Sequence, residues 1–387
     1  MGVADTQLIS SLLELSPKPG TSCLVVSDVH LGPKYHSQLT EQYLIDSIKE
    51  LGRKPSAYLF LNGDIFELWK YPGKLSDIIS NYSELTTAIR NFAKSKGHRV
   101  IFLVGNHDDV LGYDKSAQQL LVRSLNTELC LAVDIAYRGR VIHVEHGHQF
   151  DPYNRLERPM QAGQITKGQK IVQSTLPRLH RHFPNLADGL DDVVDRRLLP
   201  VFVLSRFGYR IYWPLIAPIA WLAILTEAYL LRSASFAFWG TTLIVICWLV
   251  LWLAVLLVPH LIQRIFGAGG DIDEHQIDSY LKKSKYDGLI IGHTHRGMVL
   301  PTQRGWYANS GCNDPVQLRT KSWLGITLFQ HYTQNSQLQL YFDTHIDLRY
   351  KQSRRPIIDM HRLEKLCQMR IPVESQYDQH ERFDTIT

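Results

Sequence analysis

The chain has 387 residues, 45% of them hydrophobic and 20% charged, enough for one large or two ordinary domains with ample core. A formal net charge of +5 is too small by itself to imply nucleic acid, so no nucleic-acid partner is expected. Five scattered cysteines fit a reducing compartment and no disulfide framework, and the first residues lack the basic and then apolar regions of a secretory signal.

In chain order, Leu8, Ile9, Leu12, Leu13 and Leu15 predict an amphipathic helix within an N-terminal arm, residues 1–21. Leu24–Leu31 is a short apolar run that presents Asp28 and His30. Residues 40–51, with Leu44, Ile48 and Leu51 on one face, predict a helix. Leu59–Asp64 is a second apolar run and presents Asp64. Residues 75–95, with Ile78, Ile79, Leu85 and Ile89, predict a second helix. Ile101–Asp109 is a third run and presents Asn106, His107 and Asp108. Strand alternating with helix predicts an α/β layered core. From Ala132 the helical pattern disappears. Val133–Ala136 and Val141–Val144, joined through Arg138-Gly139-Arg140, predict a hairpin that leads to His146 and His148.

The composition changes at Asp151. Residues 155–210 carry ten Lys and Arg against five Asp and Glu. Ile211–Leu231 then contains one charge, Glu227, and Ser233–Pro259 contains none. A helix of the second length reaches about 40 Å, against a hydrocarbon core of roughly 30 Å. Spans at about 211–231 and 235–259 are therefore predicted as a transmembrane helical hairpin; the rival, a fully buried core helix, fits Trp239, Trp248 and Trp252 poorly. Arg196, Arg197, Arg206, Arg210 and Arg264 flank the pair, with only Arg232 at its turn, so the flanking domain is expected in the cytoplasm. A helix is predicted at 273–283. Leu289–Gly297 reads Leu-Ile-Ile-Gly-His-Thr-His-Arg-Gly and presents His293 and His295 on one side of extended backbone. Residues 323–348 alternate as antiparallel strands do, and Arg354-Arg355-Pro356 marks a break inside a charged C-terminal tail, 351–387.

Each of five apolar runs thus ends in Asp, Asn or His, and ligands bind at the carboxyl ends of buried strands. Nitrogen and oxygen donors without thiolate suit Mn, Fe, Zn or Mg, and seven candidate ligands are about right for two ions.

Asp-x-His, Gly-Asp, Gly-Asn-His-Asp, a later His and Gly-His-x-His, in this order over residues 23–312, resemble the calcineurin-like metallophosphoesterases. The resemblance implies one metal on Asp28, His30 and His295, a second on Asn106, His146 and His293, and Asp64 as bridge. It implies that His107, oriented by Asp108, protonates or stabilises at the phosphorus. Asp28-Val-His30-Leu31-Gly32, Gly63-Asp64-Ile65-Phe66-Glu67-Leu68-Trp69 and Gly292-His293-Thr294-His295-Arg296 are most similar to the UDP-2,3-diacylglucosamine diphosphatases. That group usually has Arg where His107 stands and Asp where His148 stands. His148, Arg296 and Asn309 are candidate substrate contacts, and Asn309-Ser310-Gly311 resembles the superfamily's closing loop.

The expectation is an α/β, layered metallophosphoesterase β-sandwich flanked by helices, with the transmembrane hairpin inserted. Its parts are residues 22–154, the basic cap and hairpin at 155–270, and the second half at 271–350. Two divalent metal ions are expected, manganese favoured. The function expected is a membrane-bound phosphoesterase or diphosphatase acting on a lipid-linked substrate, in an integral membrane protein with a cytoplasmic catalytic domain. The alternatives are a tethered phosphatase for soluble or protein substrates and a non-catalytic membrane scaffold.

Overall fold

The structure, a computed structural model, describes residues 8–32, 38–156, 160–170, 274–313, 317–323, 326–356 and 384–386, with isolated positions at 173–174, 181 and 225. The predicted spans at 211–231 and 235–259 lie outside the described residues but for position 225. Among the described residues no helix is long and apolar enough to cross a membrane. The chain divides into two compact units, Met1–Thr175 with Gly270–Thr387, and Leu176–Gly269. The strands and helices named here all belong to the first.

Residues 9–15 of the N-terminal arm form short strands, which corrects the helix predicted there. Ile9–Ser10 (β1) and Leu13–Leu15 (β2) join two different sheets, β1 parallel to Glu128–Cys130 (β6) and β2 parallel to Ala132–Tyr137 (β7). Over so short a stretch the leucines fit either period, and two free sheet edges decided between them. Leu15 is buried and Glu14 exposed, as a strand on a sheet face requires.

Thr21–Val26 (β3), Ala57–Asn62 (β4) and His98–Leu103 (β5) run parallel at the centre of the first sheet. On their other side lie Gln317–Trp323 (β12), Ile326–Phe342 (β13), Ile346–Pro356 (β14) and Asp384–Ile386 (β15); β13 pairs antiparallel with β3 through Leu338↔Val25. β14 passes through Arg354 and Arg355 and ends at Pro356, the last residue of the predicted break. β14 runs on because β13 offers it a ladder as far as Tyr332↔Pro356, and a proline at a strand end forfeits little. The boundary expected at residue 350 therefore falls inside a strand.

The second sheet is built on the predicted hairpin, β7 against Arg140–Glu145 (β8). Arg138 and Gly139 both have positive φ, 48° and 80°, as a two-residue hairpin turn requires. Beside β8, and parallel to it, lies Gly288–Ile291 (β9), followed by Trp306–Asn309 (β11) and Met298–Pro301 (β10).

The continuous apolar runs are explained by burial on both faces. Leu24, Val26, Leu59, Leu61 and Phe102 pack under Gln38–Leu51 (α1), Ser83–Lys94 (α3) and Lys115–Leu125 (α4). The alternate residues Val25, Phe60, Ile101 and Leu103 meet Val133, Ile135, Val144 and Ile290 of the second sheet. The helix predicted over 75–95 is divided at buried Tyr82, with Leu75–Asn81 (α2) preceding α3. Glu274–Lys283 (α5) covers the second sheet, Ile277 and Leu281 packing on Leu289 and Ile291. The carboxyl ends of β3, β4, β5, β8 and β9 are tied together: Asp28 N–H donates to Gly63 O at 3.1 Å, His107 N–H to Asp64 Oδ1 at 2.7 Å, His146 Nδ1–H to Asn62 O at 2.8 Å, and Gly292 N–H to His146 O at 2.9 Å.

Candidate metal centre

Each candidate ligand sits on the loop that leaves one of those strands. Among the described residues seven non-glycines have positive φ, and five of them are Asp28, His30, Asp64, His293 and His295, between 51° and 65°. The other two, Asn126 and Arg138, end a helix and turn a hairpin. Left-handed backbone costs a non-glycine residue about 1–3 kcal/mol and persists only where the surroundings over-determine it. Here they do. Val29 and His30 N–H donate to Asp64 O at 2.9 and 3.0 Å, His107 N–H to Asp64 Oδ1 at 2.7 Å, and His293 N–H to Asp28 Oδ2 at 3.0 Å.

The side chains converge. His30 Nε2 stands 3.3 Å from His295 Nε2, which stands 3.3 Å from Asp28 Oδ1. His146 Nε2 is 3.1 Å from Asp64 Oδ2, its direction set by the bond from Nδ1–H to Asn62 O. Asp28, His30 and His295 form one group with donor atoms within 4.8 Å of one another; Asp64, His146 and His293 form a second; His30, Asp64 and His107 form a third. Asn106 is wholly buried, and neither its oxygen nor its nitrogen has a hydrogen-bond partner. A buried polar group left so costs about 1–3 kcal/mol. Two imidazole nitrogens 3.3 Å apart and an orphaned amide oxygen fit divalent cations with nitrogen and oxygen ligands.

The charges agree with that fit. Burial alone would depress His146, but the carboxylates of Asp64 and Asp28 push it up to about 9. Burial opposes ionisation of Asp64 as well, yet His146 and His107 hold it well below the usual carboxylate range. His295 is raised in the same way by Asp28. His293 is depressed by burial; its partner Asp151, 3.0 Å from Nε2, is held at about 2 despite burial, mainly by that hydrogen bond.

Two expected roles are corrected. Asp108 does not orient His107: its carboxylate accepts from Gly105 N–H at 2.6 Å and Ile65 N–H at 3.0 Å, tying the Asn106 loop to the Asp64 loop. A short acid three residues from a free amide bonds its own loop more readily than it reaches its neighbour's ring. His107 Nδ1–H instead donates to Glu67, 2.9 and 3.0 Å from its two oxygens, and its ring stacks on Trp69 at 4.1 Å. Asn309 is not a substrate contact either. Its nitrogen donates to Gly292 O at 2.6 Å and its oxygen accepts from Gly311 N–H at 2.8 Å, so it braces the His293 loop.

His148 is fully buried beside the second group, its ring 5.6 Å from that of His146 and 6.5 Å from that of His293. Arg296 is partly exposed on the loop after His295. Glu67 and Asp151 carry site contacts that the residue patterns did not assign. Their signal was present only as an acid three residues after Asp64 and another five after His146. Asp151 also caps its loop, accepting from Tyr153 N–H at 2.8 Å.

Residues 21–213 match the family described as calcineurin-like phosphoesterase. Solved structures similar to the chain include Vps29 from Entamoeba histolytica. Its single mutant is 12% identical, covering 87% of this chain and 99% of that one, with a TM-score of 0.31. The wild type complexed with zinc is 11% identical, covering 94% and 98%, with a TM-score of 0.33. A predicted phosphoesterase from Streptococcus pneumoniae is 10% identical, covering 87% and 97%, with a TM-score of 0.27. None of the three bears on what this chain acts on. No curated protein matches it.

A ligating imidazole must be neutral, so a cation held by His146 displaces the proton that Asp64 and Asp28 hold there up to about pH 9. Metal affinity is expected to rise with pH up to that value, with protons released on binding. Titration calorimetry with Mn²⁺ in two buffers of different ionisation enthalpy measures this; identical heats in both would remove His146 from the ligand set.

Proposed function

Because the chain carries a calcineurin-like metallophosphoesterase domain, we propose that it is a hydrolase that cleaves a phosphoester or diphosphate bond with two divalent cations. Asp28, His30 and His295 would hold one and Asn106, His146 and His293 the other, with Asp64 between them. The observation that carries this reading is the cost accepted at the site: five of its side chains sit on left-handed backbone, where they bring two carboxylates and their imidazoles to one point. When bound, two such cations supply an activated water and neutralise charge on the phosphoryl oxygens. The chain's own part is to aim and to protonate. Glu67 accepts from His107 Nδ1–H, and in the imidazolium, which Glu67 and Asp64 favour against burial, Nε2–H is the group that gives a proton to the departing oxygen. Asp64→Ala is expected to abolish Mn²⁺-dependent hydrolysis and to lower bound metal below two ions per chain. Two tightly held ions in that variant would rule out the bridge.

The finer reading is a lipid-linked substrate, and its support is in the sequence. The Asp28 and Gly-Asp motifs resemble those of the UDP-2,3-diacylglucosamine diphosphatases, and two apolar segments, Ile211–Leu231 and Ser233–Pro259, are inserted between His148 and His293. A substrate whose acyl chain stays in the bilayer avoids an extraction cost of about 0.8 kcal/mol per CH₂. In the membrane-reconstituted protein, kcat/KM should be higher for a long-chain phospholipid-type substrate than for a short-chain analogue with the same headgroup. Equal values would leave a tethered phosphatase for soluble substrates. The arginines flanking the two segments favour a cytoplasmic catalytic domain. A cysteine replacing Ser233 should then react with an impermeant thiol reagent from outside the cell, and reaction only after lysis would reverse the orientation.

A further inference from the structure

We infer that His143 is a pH-sensitive latch on the outer face of the second sheet, holding the segment between α5 and β9 while its ring is charged and releasing it when neutral. On β8 the side chains of Ile142 and Val144 go inward, so those of His143 and Glu145 go outward. The register sets Asp134 of β7 opposite His143, and Glu14 of β2 opposite Asp134. An outward sheet face is ordinarily where charge meets water, yet Asp134, His143 and Glu145 are 3%, 5% and 4% exposed. The chain returning from α5 lies against them. Tyr286 stacks on the His143 ring at 4.4 Å and 22°, and the ring of Tyr280, on α5, is 6.5 Å away.

The ring serves two acids at once. Its Nδ1 is 2.6 Å from Asp134 Oδ1, and its Nε2 is 3.8 Å from Glu145 Oε2. Lys285 reaches the other Asp134 oxygen with Nζ at 2.9 Å and lies over the Tyr286 ring at 5.6 Å, its side chain 61% exposed. His143 is thus the buried cation between two buried carboxylates, and a neutral imidazole, with one N–H, cannot answer both. Burial alone would depress the ring, but the hydrogen bonds and charges of Glu145 and Asp134 raise it above 6.5. A raised imidazole lends stability that is complete below its unfolded value and is lost as pH rises through its folded one. The release is local. Asp287 N–H donates to Val141 O at 2.8 Å and its carboxylate accepts from Val141 N–H at 2.9 Å, so the far end stays anchored and residues 284–286 are what lifts. All of this lies on the face of the sheet turned away from β3, β4 and β5, and none of these side chains is a candidate metal ligand.

Trypsin reports the latch directly, because Lys283 and Lys285 are exposed but are cut only where the backbone around them opens. Cleavage after these two is followed in the full-length protein from about pH 6 to 9, across the range in which an imidazole loses its charge. Each rate is divided by that of a free peptide of residues 278–290 at the same pH, which removes the protease's own pH dependence. In wild type the relative rate is expected to be low at the acid end and to rise severalfold through a midpoint above 6.5. The midpoint should be the same with Mn²⁺ bound or chelated. His143→Gln, polar but never charged, should be cut at the fast rate throughout. Asp134→Asn still accepts from Nδ1–H without its charge and should move the midpoint down. Cleavage after Lys94, at the end of α3, should follow none of these changes. A flat wild-type profile, an unaltered rise in His143→Gln, or a midpoint that moves with metal would overturn the proposal. If His143→Gln does not fold, a midpoint unmoved by Asp134→Asn overturns it equally, and the wild-type profile with and without metal decides even if neither variant folds.

Discussion

Asp64 accepts three backbone N–H groups, those of Val29 and His30 on its carbonyl and that of His107 on its carboxylate. The rest of the centre depends on this arrangement. It pins the loops leaving three parallel strands against one another, and it turns one carboxylate oxygen inward while the other faces His146 at 3.1 Å. Gly105 is required beside it, because a Cβ there would strike the Asp64 carboxylate and its backbone nitrogen. Held from both sides, Asp28, His30 and Asp64 can occupy left-handed backbone that free loops would abandon.

The two sheets share the task unequally. The first supplies Asp28, His30, Asp64, Asn106 and His107; the second supplies His146, His293 and His295, with Asp151 bonded to His293. The groups Asp28, His30 and His295 and Asp64, His146 and His293 each draw donors from both sheets. Joining them is the work of His146, whose ring donates to the Asn62 carbonyl across the gap, and of Gly292, where a side chain would collide with Ser27 and Asp28.

Much of this was legible in the sequence, for physical reasons. Strands buried on both faces must be continuously apolar, so β3, β4, β5 and β9 announce themselves and the polar residue that ends each is conspicuous. What could not be read depends on contacts between distant segments. Leu8–Leu15 carries leucines that suit a helix, and only free edges on β6 and β7 make them strands. The choice between Glu67 and Asp108 as the partner of His107 turns on which way a short acid bends, which no spacing encodes. Asn309 looks like a contact because it ends a strand among the ligands, yet all its bonds go to its own neighbourhood.

The pairing of β8 with β9 joins Ile142 to Gly288, and that of β3 with β13 joins Val25 to Leu338. During synthesis, therefore, the strands carrying Asp28 and His146 are complete long before the partners that flank them exist. Contacts closed across such distances are slow to form, and the waiting edges are open to wrong pairing. The helix-covered layer of β3, β4 and β5 depends on nearer neighbours and needs no such delay. The centre therefore cannot be completed before β9 has been made, and a nascent chain that stops short of β9 has no His293 or His295 to bring to Asp28 and Asp64.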